Sequence, residues 1–168
     1  RGEARCSTGL PRKVRRTCAG EVGCPNRAVS GTLQSVIMGT TKDFVQAAFR
    51  WRIDAETLQR ASSVENSDHA YGLASECACK AILATIGVRV RPTGELDESR
   101  LWVHLPHILH ELHAALSGRS AASVLGHLPS PSSFDHWNID DRYAADGSVS
   151  EAKRDEHRAA SLRIFSAL

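Results

Sequence analysis

The sequence predicts an all-α protein, folded as an up-and-down bundle of four to five helices. Four main segments carry helix signals, namely apolar residues at three- and four-residue spacing or a capping pattern. No segment has convincing strand character, and no stretch of the chain repeats. With 168 residues, 42% of them hydrophobic and 24% charged, the chain can bury one core.

The first helix is predicted within residues 41–62, with Thr40 or Thr41 as its N-cap. Its apolar side chains recur at intervals of three and four residues, which places them on one side of a helix. This stripe consists of Phe44, Ala48, Trp51, Ala55 and Leu58.

The second helix is predicted at residues 67–86. Asn66 or Ser67 can cap its beginning, and Gly87 supplies a left-handed stop. Small residues dominate its apolar stripe, so that a neighbouring helix can approach closely.

The third helix lies in "LWVHLPHILHELHAAL" (101–116), which has histidines at positions 104, 107, 110 and 113. On a helical wheel the leucines and Ile108 share one side, His107 and His110 point away from it, and His113 lies at its flank. His104 precedes Pro106 and is expected at the cap. The imidazoles therefore diverge. "HELH" also lacks one residue of the His-Glu-x-x-His zinc helix, so we predict neither a metal nor a cofactor.

Two further segments precede the last helix. Residues 121–128 are predicted as a short helix, and residues 129–147 as a long loop in which Trp137 and Tyr143 concentrate aromatic character. If that loop is structural, both aromatic side chains anchor it and Arg142 clamps Asp140 or Asp141. If it is functional, Arg142 contacts a phosphate or a partner.

The last helix is predicted to begin with Ser148 as N-cap and Glu151 completing a capping box. On this helix Arg154, His157 and Arg158 share one face. Such a cluster can bind a phosphate or an acidic partner across a dimer groove. The alternative is a pair of snorkelling arginines that form salt bridges with the acidic loop.

Glu76 and Lys80, four residues apart on the second helix, are predicted to form an ion pair, either beside the core or lining a polar pocket. Cys77 and Cys79 differ by about 200° on the wheel, which excludes a disulfide between them in a helix. We expect Cys77 in the core and Cys79 near a surface or interface.

Charge divides the chain at Met38. Residues 1–37 carry seven Arg or Lys and two Glu, a net charge of +5, whereas the remainder carries 14 basic and 17 acidic residues. We predict that 1–37 is a basic extension outside the core, and that 38–168 is the helical domain. Our hypothesis is that Met38, the only methionine, is the biological start, and that the extension is upstream-translated or was added by cloning. The alternative is a basic arm that binds nucleic acid or an acidic partner.

The cellular setting is inferred from what the sequence lacks. No run approaches the roughly 18 apolar residues that span a bilayer, so no membrane association is expected. The five cysteines form no CxxC pair, and an odd number without a signal peptide favours free thiols in a reducing compartment. We therefore expect a cytoplasmic protein.

Three segments taken together resemble the HEPN superfamily, a group of small four- to five-helix domains. They are "DHAYGLASECACKAIL" (68–83), "HLPHILHEL" (104–112) and "WNIDDRY" (137–143). The resemblance implies a domain that dimerises and occurs in toxin–antitoxin, phage-defence and RNA-processing systems. Catalytic members are metal-independent ribonucleases with an Arg-x4–6-His motif in or just before the last core helix.

The chain departs from that catalytic motif. Fourteen residues separate Arg142 from His157, and only two separate Arg154 from His157. Arg100 and His107 have the required spacing, but they span a loop and the start of the third helix.

The resulting hypothesis is a HEPN-like interaction or nucleotide/RNA-binding module in a bacterial stress or defence setting, acting as a homodimer. Its candidate binding residues are Arg158, Asp140, Asp141, Tyr143, Glu76, Lys80 and His104. A separately encoded antitoxin or nucleotidyltransferase-like protein is a further candidate partner. Two alternatives stay open: a metal-independent ribonuclease that uses Arg142 or Arg154 with His157, and a purely structural helical partner protein.

Overall fold

The computed structural model describes residues 41–117 and 122–168. These residues form five α-helices: α1 (Phe44–Arg60), α2 (Val64–Thr85), α3 (His107–Leu116), α4 (Ala122–His127) and α5 (Glu151–Ala167). Three short 3₁₀ helices lie between them, at Ser99–Leu101, Pro131–Phe134 and Ile139–Tyr143. Within these described ranges there is no β-strand, only an isolated bridge between Val90 and Leu96. The predicted all-α class is confirmed.

Helix α2 is the centre of the packing, because α1, α3 and α5 all contact it. The main core cluster joins small residues of α2 to the apolar faces of α3 and α5 and to buried residues of the connecting segments, among them Leu101, Phe134 and Trp137. None of the described helices combines the length and hydropathy that a bilayer crossing requires.

Helix α1 starts at Phe44, later than predicted. Its N-cap is Asp43, whose Oδ1 accepts a hydrogen bond from the backbone N–H of Gln46 at 2.9 Å. The predicted cap at Thr40 or Thr41 is therefore wrong for this helix. The ionised carboxylate of Asp43 is a strong acceptor at the positive end of the helix dipole.

Helix α2 starts at Val64, three residues before the predicted position, and Ser63 occupies the N-cap position. Its predicted end is confirmed, because the helix stops at Thr85 and Gly87 adopts a φ of +97°. Close packing occurs at Gly72. A Cβ atom there would lie 2.0 Å from Cε2 of Trp137, so only glycine admits the indole ring.

The two α2 cysteines lie opposite to expectation. Cys79 is fully buried in the main core cluster, whereas Cys77 is only partly buried. Burial raises the pKa of the Cys77 thiol to about 11 and also raises that of Cys79. The two thiols are free, as the wheel predicts.

The predicted apolar face of α3 is confirmed: Ile108, Leu109, Leu112 and Leu116 are all fully buried. Helix α4 confirms the short helix expected before the loop. The N-cap of helix α5 lies two residues after the predicted one, because Ser150 and not Ser148 accepts the hydrogen bond from the backbone N–H of Lys153.

The long loop is anchored by Phe134 and Trp137, which are both buried. Tyr143 is 77% exposed, so the expectation that it anchors the loop is wrong.

Candidate functional site

His157 is buried at the junction of α5 and α2. Its Nδ1 lies 2.7 Å from Oδ1 of Asp68, and only 1% of the residue is exposed. The ring of Phe134 stacks on the imidazole with a centroid distance of 5.2 Å. A buried polar group needs such a partner, because an unpaired one loses its hydration without compensation. The pair therefore ties α5 to the centre of the bundle.

The two arginines beside His157 have separate partners. Arg154 is also buried, with its guanidinium 2.9 Å from Oδ1 of Asp155 on the same helix. Arg158 donates from Nε to Glu56 of α1 and to the hydroxyl of Tyr71 of α2, each at 3.2 Å. The expected salt bridges to the acidic loop are replaced by these contacts. His157 and Arg158 thus bind neighbouring helices and Arg154 binds within α5, so the three side chains do not form one open cationic surface.

The hydrogen bond to Glu56 raises the pKa of the Arg158 guanidinium. Burial raises the pKa of the Tyr71 hydroxyl, which also donates a hydrogen bond to Gln59. The hydrogen bonds of Arg158 and Tyr71 connect α1, α2 and α5.

The predicted ion pair on α2 is confirmed, with Nζ of Lys80 2.6 Å from Oε1 of Glu76. The second carboxylate oxygen of Glu76 lies 2.8 Å from Nδ1 of His104. Glu76 is 7% exposed, whereas the side chain of His104 is 52% exposed. A buried carboxylate thereby orients an imidazole that still faces solvent.

The four histidines around α3 diverge, as predicted. His104 contacts Glu76, while Nε2 of His113 lies 3.0 Å from the carbonyl oxygen of Pro129. His107 and His110 are both exposed. No group of three or more potential metal ligands occurs in residues 41–117 and 122–168.

An open groove of about 640 Å³ lies next to His104. Residues 102–107 line one side of it and residues 135–139 the other. We call it the histidine groove, because His104, His107 and His136 all line it. Its volume is in the range of small-molecule sites in proteins.

Aromatic rings line the same groove. Trp102 is 52% exposed, and its Nε1 donates to the carbonyl oxygen of Leu96 at 2.8 Å, which fixes the ring. The guanidinium of Arg91 lies 5.1 Å from the centroid of this indole. On the other side of the groove, Trp137 is buried and stacks on His69 of α2. Burial, and then the nearby positive charge of Arg142, lower the pKa of His69.

The acidic segment continues from the groove at Ile139. Arg142 is exposed, 3.9 Å from Oδ1 of Asp140, and its guanidinium stacks over the ring of Tyr143 at 4.7 Å. Asp141 accepts a hydrogen bond from the backbone N–H of Asn138 and thus caps the 3₁₀ helix. The ion pair between Asp140 and Arg142 is therefore weak, and both side chains remain accessible to solvent.

The predicted site residues lie in three separate parts of the structure. His157 and Arg154 are buried at the α2–α5 junction, and Arg158 lies beside them against α1. A chain of contacts runs from Lys80 through Glu76 to His104 and ends at the histidine groove. Asp140, Asp141, Arg142 and Tyr143 lie on the adjoining surface segment.

Sequence reasoning missed Asp68, Trp102 and His136. Asp68 lies 89 positions before its partner His157, and no local sequence pattern links the two residues. The one available signal for His136 was its position beside Trp137 in a loop rich in chemically active residues. Comparison with family models, curated proteins and solved structures found no match to this chain.

Proposed function

We propose that this chain is a HEPN-like helical module that binds single-stranded RNA or a nucleotide in the histidine groove. The observation that carries the proposal is the meeting of an exposed indole, Trp102, with three imidazoles in one groove. The bases of single-stranded nucleic acids stack on aromatic side chains, and their phosphates accept hydrogen bonds from basic groups.

The fixed orientation of two groove residues supports this proposal. Trp102 is held by the carbonyl of Leu96, and His104 by the carboxylate of Glu76. Side chains that are held in place before binding lose less conformational entropy when a ligand arrives. Lys80 pairs with the other oxygen of Glu76, Oε1, which reduces the repulsion that this buried carboxylate exerts on an anionic ligand.

The surface segment beside the groove offers a second contact for a longer strand. Tyr143 is 77% exposed, and Arg142 lies over its ring. This arrangement combines an aromatic surface for base stacking with a guanidinium that can donate hydrogen bonds to a phosphate. Asp140 and Asp141 oppose binding of a polyanion here, whereas the residues that line the histidine groove include one carboxylate, Asp135. We therefore assign the main contact to the groove. A homodimer, and a separately encoded antitoxin or nucleotidyltransferase-like partner, belong to the same proposal, as does a bacterial stress or defence setting.

The ribonuclease alternative receives less support from the geometry. A general base must reach the proton that it removes, whereas His157 is 1% exposed and covered by Phe134. Arg154 is buried beside it, and Arg142 lies on the surface segment. The arrangement fits a packing role for His157 better than contact with a polynucleotide.

The proposal is tested by titrating the full chain into a fluorescently labelled ten-nucleotide single-stranded RNA, in EDTA, at two salt concentrations. We expect salt-dependent binding that AMP weakens by competition. Replacing Trp102→Ala should weaken binding about tenfold, because stacking of one base contributes roughly 1–3 kcal/mol. His104→Gln should also weaken it.

His110→Gln is the matched control, since His110 is exposed on α3 but does not line the groove. Equal losses in this control and in Trp102→Ala would refute the assignment of the groove. An absence of binding would favour the structural-partner alternative. Cleavage of the RNA that disappears in His157→Ala would favour the ribonuclease.

A further inference from the structure

A small cavity lies where the start of α1 meets the segment that precedes α3. Its volume is about 210 Å³. The aromatic rings of Phe44 and Trp102 line it, together with the side chains of Leu96 and Leu101. We call it the aromatic cavity. Of these four residues, only Trp102 also lines the histidine groove, so the two sites are separate.

The lining of the cavity is held in place by contacts within the chain. Leu96 and Leu101 are both buried in the main core cluster. Nε1 of Trp102 donates to the carbonyl oxygen of Leu96. The backbone N–H of Lys42 donates to the carbonyl oxygen of Thr93 at 2.8 Å, which ties the approach to α1 to the segment that carries Leu96. A lining that is fixed before binding loses less conformational entropy when a ligand arrives.

The charged side chains of the cavity already have partners. Lys42 and Glu95 both line it and form an ion pair with each other. Lys80 also lines it, and its Nζ lies 2.6 Å from Oε1 of Glu76 and 5.9 Å from the centroid of the Phe44 ring. A charged ligand would lose its hydration here without meeting an unpaired opposite charge on these residues.

We infer that the aromatic cavity binds a small uncharged aromatic molecule in contact with Phe44 and Trp102. Aromatic rings that meet edge-to-face or offset-stacked attract each other beyond the gain from burying their area. The cavity is smaller than the roughly 300–1,000 Å³ of drug-sized sites, which limits the ligand to about ten non-hydrogen atoms. Indole and benzyl alcohol meet both conditions. This inference goes beyond the proposed function, because it does not depend on RNA or on the histidine groove.

The first test follows the aromatic side-chain signals of the full chain by NMR while indole is added. We expect one saturation curve with a Kd on the order of 100 μM. Intermolecular NOEs should connect indole protons to the rings of Phe44 and Trp102. Binding that does not saturate by about 5 mM indole, or NOEs confined to other aromatic residues, would overturn the inference.

The second test compares two phenylalanines of α1. Phe44→Leu should weaken indole binding about fivefold, because it removes an aromatic partner but keeps an apolar side chain. Phe49→Leu is the matched control, since Phe49 is 47% exposed and does not line the cavity. Equal losses in the two variants would contradict the assignment. The RNA affinity of Phe44→Leu should equal that of the wild type, and its loss would contradict the separation of the two sites.

The third test uses the unaltered protein, so it holds even where a variant fails to fold. Benzyl alcohol, benzoate and benzylamine carry the same ring and differ in charge at neutral pH. Benzyl alcohol should bind at least about tenfold more tightly than either ion, because both ions must give up hydration. Equal or tighter binding of benzoate or benzylamine would show that the cavity does not select an uncharged ligand.

Discussion

At the scale of single residues, two polar contacts join α2 to α5. Asp68 of α2 binds His157 of α5, and Tyr71 of α2 binds Arg158. Each such contact compensates for lost hydration and at the same time fixes which helices are neighbours. Residue type and helical spacing identified His157 and Arg158 as candidate site residues. No sequence pattern indicates which residues they contact.

Gly72 provides the sharpest test of packing at this scale. Gly72→Ala should lower the free energy of unfolding by about 2 kcal/mol, because the new Cβ overlaps the indole of Trp137. Urea denaturation measures this change. Gly126→Ala is the control: a Cβ there meets no atom within 4 Å, so helix propensity should leave stability unchanged or raise it by about 0.5–1 kcal/mol. Equal effects at both sites would show that the indole does not pack against α2.

His69 should make stability depend on pH. Its pKa is lowered in the folded protein by burial and by Arg142, although Asp141, Asp68 and Glu76 act in the opposite direction. The unfolded chain, with an ordinary imidazole pKa of about 6.5, therefore takes up a proton first as the pH falls. The contribution of His69 to stability is present above that pKa and is lost on acidification through it.

The check is the difference in Tm between about pH 7.5 and pH 5.5 for the wild type and for His69→Gln. Acidification should lower the Tm of the wild type more than that of the variant. An identical drop in both proteins would mean that His69 does not titrate with folding.

At the scale of elements, helix type and buried face followed from the sequence, whereas helix starts did not. Capping residues are crowded where α1 and α5 begin: Thr40, Thr41 and Asp43 precede one, and Ser148 and Ser150 precede the other. Propensity alone does not select among neighbouring caps. Tertiary packing selects the N-cap residue, because the first turn of the helix that contains a buried side chain must face the core.

Ser150→Ala should therefore destabilise the protein by about 1 kcal/mol, through loss of the hydrogen bond to the backbone N–H of Lys153. Ser148→Ala should leave stability unchanged, since the Ser148 side chain does not cap α5. The two variants are compared by urea denaturation. A larger loss of stability in Ser148→Ala than in Ser150→Ala would instead support Ser148 as the N-cap, as the sequence predicts.

At the scale of the whole molecule, the all-α class was predictable because amphipathic periodicity is a local property. The histidine groove was not, because its two sides come from residues 102–107 and 135–139, which only tertiary packing brings together. The HEPN-like assignment stays a prediction that rests on the order of three short segments. The domain boundary at Met38 also stays a prediction, since the extension and Met38 itself lie outside the described residues.

The most direct test of ligand binding in the groove follows the histidine side-chain signals by two-dimensional NMR while AMP, or a short single-stranded RNA, is added. We predict that the imidazole signals of His104, His107 and His136 shift together with one saturation curve, and that those of His110 and His127 stay in place. Saturable shifts confined to His110 or His127, or no shifts at millimolar AMP and saturating RNA, would contradict the account.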